Sequence, residues 1–190
     1  MFPDILKKKS VLFFIVVVLL AAIGLTAYSF VPVISINGER VGLSEFLKVQ
    51  SAVRNMDMNG NGGVLKLSDE EVKGRVFGNM IDKVFLDELI GDVDASLEAG
   101  AREKVREAIE KEEKDSNLRL EEAARTLYGL SVKDFTELVL LPQAKRDLLT
   151  ERFKNNPEQL NQMWNDLVKI ADIKIYYPGY KWEGGEVKKK

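Results

Sequence analysis

Hydrophobic and polar positions divide this chain into two regimes. Between Ser10 and Gly38 no charged residue occurs, and Val11 to Leu25 is almost wholly apolar. Beyond Gly38, apolar residues recur at helical spacing among charged ones, apart from short alternating stretches near each end. The first regime predicts a membrane-spanning helix from Val11 to Val31, roughly 21 residues or about 31 Å, which matches a bilayer core. Lys7, Lys8 and Lys9 stand directly before it. The positive-inside bias therefore places residues 1–10 in the cytoplasm. The body after Val31 is expected outside a bacterial cell membrane, in the periplasm or at the cell surface. Tyr28 and Phe30 fall where interfacial aromatics belong. Ala27-Tyr28-Ser29 also offers small residues at both specificity positions of a signal-peptide cleavage site. The apolar run is long for a signal peptide, which favours an uncleaved anchor, and either outcome exports the rest.

The second regime predicts a mainly α-helical domain over residues 33–177. Val33 to Ile36 alternates as a short strand, and Asn37-Gly38 supplies a turn. Ser44 is placed to cap a helix from Glu45 to Met56, followed by a Gly/Asn loop. Ser68-Asp69-Glu70-Glu71 is a capping box opening the most periodic helix, with Val72, Phe77, Ile81, Val84 and Leu89 on a wide apolar face. A charged helix with a thin stripe of Leu97, Val105, Ala108 and Ile109 is expected from Ala95 to Lys114. A short helix from Glu121 should stop at Gly129. Ser131 to Asp134 begins another capping box, and Pro142 should kink or split the long helix that follows. Pro157 suits the first turn of a last helix, Glu158 to Ile170. Ile173 to Tyr177 alternates as a strand, expected to pair with Ile34–Ile36 in a small two-stranded sheet. Residues 178–190 are expected to form a loose tail.

Composition narrows the chemistry. The chain lacks cysteine and histidine, so disulfides, thiolate nucleophiles, imidazole bases and zinc fingers are excluded. A net charge of -2 with mixed signs gives nucleic acid nothing to bind. Phosphate-loop, dinucleotide and serine-nucleophile motifs are missing, so no cofactor and no enzymatic activity is expected. Asp57, Asn59 and Asn61 copy the first positions of a calcium loop. Position twelve, however, is Ser68 where a bidentate carboxylate belongs, so an inter-helix loop is the main expectation and calcium the alternative.

The run Ile34-Ser35-Ile36-Asn37-Gly38-Glu39-Arg40-Val41, followed by Ser44-Glu45-Phe46, resembles the start of the SurA N-terminal domain family. These domains are the chaperone modules of SurA-, PrsA- and PpiD-type foldases. Asn79-Met80-Ile81-Asp82-Lys83 is similar to the family's "L-I-D-E" helix. Tyr128-Gly129-Leu130-Ser131 with Phe135 resembles a later helix start, and Ala171 to Tyr176 resembles the closing strand. Here Asn155-Asn156-Pro157 joins the long and closing helices directly, where many relatives insert a prolyl isomerase domain. The resemblance therefore implies the chaperone module without isomerase activity: a membrane-anchored holdase for unfolded or extended exported polypeptides. A tethered scaffold for one dedicated protein partner is the alternative. Phe46, Phe77, Met80, Phe85, Tyr128 and Met163 are the expected lining of a peptide-binding groove. Trp164 is expected to be structural.

Overall fold

A computed structural model of the protein describes residues 31–115 and 120–190. The expected cytoplasmic segment and all but the last residue of the expected transmembrane helix lie outside the described residues. Among the latter, no helix is long and apolar enough to cross a membrane.

The described chain is mainly helical, with two small sheets. Strand β1 (Pro32–Ile36) turns through Asn37 and Gly38, both at positive φ, into β2 (Glu39–Gly42). Strand β3 (Ile173–Ile175) pairs antiparallel with the other side of β1, Ile34 opposite Ile175 and Ile36 opposite Ile173. The predicted pairing of the chain's two ends is therefore present, and β2 makes the sheet three-stranded in the order β2-β1-β3. The central position of β1 explains why Val33 to Ile36 are all buried rather than alternating. Asn37 ties the turn to β3: its N–H donates to the Asp172 carbonyl and its Oδ1 accepts from the Asp172 N–H at 2.8 Å.

Helix α1 (Leu43–Gly60) begins earlier than expected, with Gly42 as its N-cap. Ser44 thus lies inside the first turn and caps nothing. Helix α2 (Asp69–Val93) starts on the complete Ser68–Glu71 capping box. Its buried residues, Val72 through Ile90, lie on every side of the helix. Such a helix must be covered all round, and α2 is the hub of the fold. Of its expected stripe, helix α3 (Ser96–Asp115) buries only Val105 and leaves Ala108 exposed, while Ala101, outside that stripe, is also buried.

A short helix α4 (Leu120–Ala123) widens into a π-helical turn, Ala124–Tyr128, and stops at Gly129. Gly129 has φ 68°, and a Cβ there would sit 2.1 Å from the Asn55 side-chain nitrogen, so only glycine fits. Ser131 caps α5 (Val132–Phe135) by accepting from the Asp134 N–H. A second π turn, Thr136–Leu140, leads into α6 (Leu141–Arg152). Pro142 has no N–H to give the carbonyl four residues back. The wide turn accommodates that missing bond, which is the form the expected interruption takes. Helix α7 (Pro157–Ile170) follows, with proline in its first turn as expected.

The end of the chain departs from expectation. Residues 178–190 are not a loose tail but a hairpin of β4 (Tyr180–Glu183) and β5 (Glu186–Lys189). Gly184 and Gly185, both at positive φ, make its tight turn. Tyr177, Tyr180, Trp182 and Val187 pack this end onto the main core. The aromatic burial holds a segment whose terminal position suggested a loose tail.

A cleft against the central helix

Four of the six residues expected to line a groove are buried in the core, although Met80 and Phe85 each also border a cleft. Phe46, Phe77, Met80 and Phe85 are each at most 2% exposed. Phe46 and Phe77 meet at 5.2 Å between ring centroids, and Tyr177 and Tyr180 close around them. Bound clients cannot reach these rings without unfolding the core. Met163 is partly buried against the same core, and Trp164 meets Phe85 edge to face at 5.6 Å, the structural role expected of it.

The open apolar space lies on another side of α2. A cleft of about 190 Å³ is bounded by α1, α2 and the stretch from the second π turn into α6. Val49, Val53 and Met56 come from α1, Leu86 from α2, and Leu138, Val139 and Pro142 from the facing wall. Tyr128, at the end of the first π turn, lines it too, and Met80 reaches it with one edge. Of the expected groove residues, only these two are brought to the cleft. Leu138 and Val139 lie within the π turn, off regular helical spacing, and are half-buried. Tyr128 is held by Phe135, ring centroids 4.7 Å apart.

Two ion pairs edge the cleft. Lys83 reaches Glu45 at 2.9 Å, and Arg146 reaches Asp82 at 3.0 Å. Burial pushes the Asp82 carboxyl above its ordinary value, and the opposing pull of Arg146 does not cancel that. Burial also works to lower Lys83, but the hydrogen bond and charge of Glu45 outweigh it and raise the ammonium's pKa. Asp82 and Arg146 nevertheless remain about half-exposed. Asn79 and Gln143 add side-chain amides to the lining. Such a site can accept an apolar side chain on its floor and polar main-chain groups at its edge.

Beyond the cleft, Lys145 of α6 is 5% exposed and bonds Asp87 of α2 and Glu98 of α3. It locks the wall opposite α1 in place.

The side chains of the expected calcium loop are engaged in hydrogen bonds of the loop itself. Asp57 accepts from the Lys66 and Leu67 N–H groups at 2.6 and 3.0 Å, and the bond from Leu67 leads in holding its carboxyl below the usual value. Asn61 donates back to Asp57, and Asn59 donates to the Thr126 and Leu127 carbonyls. The three side chains close the loop and dock it on the first π turn. Among the described residues no acidic cluster suited to a metal occurs.

Val49, Met56, Leu138, Val139, Asp82 and Arg146 were not singled out as site residues from sequence. Their available signal was Pro142 within a helical run, which marks where regular packing must fail. No protein-family model matches the chain, and neither a curated protein nor a solved structure matches it.

Proposed function

We propose that this chain is a membrane-tethered extracytoplasmic holdase that binds unfolded or extended segments of exported proteins, with Val11 to Val31 in the lipid bilayer. The observation that carries this function is the open apolar cleft beside α2, at which Met56 is exposed and Leu138 and Val139 are only half-buried. The ordered resemblance to the SurA N-terminal domain family supports it from the sequence side. A cleft of about 190 Å³ seats one or two client side chains. Burying each contributes roughly 1.5–3 kcal/mol, against association costs of several kcal/mol. Binding is therefore micromolar or weaker, which suits release without a nucleotide cycle.

The test uses the full chain in lipid nanodiscs, mixed with lysozyme unfolded and reduced so that it aggregates on dilution. Stoichiometric protein should suppress the light scattering. Met56→Glu should abolish suppression while shifting stability by no more than about 0.5 kcal/mol, because Met56 is 52% exposed. Unchanged scattering with the wild-type protein would sink the proposal. The small cleft also suits one anchoring residue of a dedicated partner. Recovery of a single stoichiometric protein, rather than many clients, by crosslinking in cells would favour that scaffold function. A reporter fused after Lys190 and active only in the cytosol would contradict the export of the domain.

A further inference from the structure

A second cleft, of about 400 Å³, lies between α2, α7 and the C-terminal hairpin, and Asp82 lines both it and the first. Its walls are Trp164 and Val168 of α7 and Trp182 and Val187 of the hairpin, and its floor includes Gly74 and Gly78 of α2. We infer that the groove crosses the Asp82–Arg146 pair into this second cleft, where an extended polypeptide lies with its main chain against Gly74 and Gly78. This inference rests on the peptide-binding function proposed above and extends its site.

The glycines are the first support. Glycine inside a helix is unfavourable relative to alanine, yet α2 carries three, Gly74, Gly78 and Gly91, of which the first two stand one turn apart on the cleft face. A Cβ at either position would meet nothing within 4 Å, and neither has positive φ. Contacts among the described residues therefore do not require them. Close approach by the backbone of another segment does.

The polar groups between the clefts are the second support. Asp82 offers acceptors and Arg146 donors, the complement of a peptide unit's N–H and carbonyl. Both are half-exposed, so exchanging their mutual pairing for bonds to a client costs little. The dimensions also suit an extended chain. From Gly74 to Leu86 the α2 lining spans about 18 Å of helix axis, the length of about five residues of strand.

The chain's two tryptophans both line the second cleft, so intrinsic fluorescence reports its occupancy. The experiment titrates the full chain in nanodiscs with a short fluorescein-labelled peptide alternating leucine and serine. Anisotropy reports binding anywhere on the protein, and an unlabelled copy of the peptide is used for the tryptophan signal. The expected result is a change in tryptophan emission that tracks the anisotropy. Gly78→Ala should bind about three- to tenfold more weakly, while its unfolding midpoint rises by roughly 2–4 °C. Methylating the peptide's central backbone nitrogens should weaken binding to the wild type by a similar factor. If the peptide binds but tryptophan emission stays constant and Gly78→Ala matches wild type, the second cleft is not part of the groove. The first-cleft function would then still stand. Absence of any anisotropy change would overturn both.

Discussion

On the side of α2 that faces the sheet and hairpin, Phe77 is enclosed by Phe46, Tyr177 and Tyr180, with ring centroids 5.2–6.0 Å apart. On the side that faces α5 and α6, Met80 and Leu86 look across an open cleft at Leu138, Val139 and Pro142. Both sides are apolar, and they differ in what holds the opposing wall. The aromatic side meets elements fixed by backbone ladders: β1 with β3, and the hairpin on itself. The cleft side meets a helix wound with a π turn and tied to α2 by the Asp82–Arg146 and Asp87–Lys145 pairs. Rigid ladders let side chains interlock to crystal-like density, whereas a wall held by ion pairs can stand off and leave room. Packing is tightest where Phe77 meets the aromatic rings, and open space lies beside it at the cleft facing α6 and at the one between α7 and the hairpin.

Truncations on the two sides offer the largest effect by which to break this contrast. Phe77→Ala should cost about 3–5 kcal/mol, since the ring is fully enclosed and its neighbours cannot collapse into the gap. Val139→Ala, on the half-buried cleft wall, should cost less than about 1.5 kcal/mol. Urea unfolding of both variants measures the difference. Equal losses would mean that the cleft wall is as tightly packed as the aromatic side.

A smaller effect sharpens the contrast within the cleft wall itself. Ser131 caps the helix that becomes the second π turn, so Ser131→Ala should lower stability by about 1 kcal/mol. Its signature should be local. Hydrogen exchange at the Thr136–Leu140 amides should accelerate more than at Val76–Phe85, because capped ends and wide turns open before the hub does. Uniform acceleration across both helices would show that the wall has no independence.

Much of the fold was legible in the sequence. The Ser68 capping box, the Gly129 stop, the proline at the start of α7 and the pairing of Ile34–Ile36 with Ile173–Ile175 each rest on local chemistry or a strong alternation. The hairpin was misread although Gly184-Gly185 sits between Trp182-Glu183 and Glu186-Val187, a turn flanked by alternation. Terminal position outweighed that pattern. The site was less legible for a physical reason. Phe46, Phe77 and Phe85 are chemically what a groove would use, but composition does not distinguish a ring enclosed by tertiary neighbours from one left open. The cleft wall runs through the π turn ahead of Pro142, and a one-residue change in helical winding leaves little trace in hydrophobic spacing.

Acid titration probes the smallest difference between the two sides, and there the signs are opposite. Asp57 and Glu71, which close the loop and cap α2, have folded-state pKa values below their ordinary 3.8 and 4.5. Their contribution is present above those values and is lost as pH falls through the folded ones. Asp82, at the cleft, is raised above 3.8 by burial. The folded protein binds that proton more readily than the unfolded chain, so the Asp82 contribution declines as pH rises from 3.8 through its folded value. Wild type should therefore lose its advantage over Asp57→Asn on acidification below about pH 4, and should gain on Asp82→Asn as pH falls from neutrality. Thermal midpoints of the three proteins across pH 3–7 measure both trends. If the two differences move in the same direction, the cleft is solvated like any other surface, and the distinction between a packed side and an accessible one loses its electrostatic half.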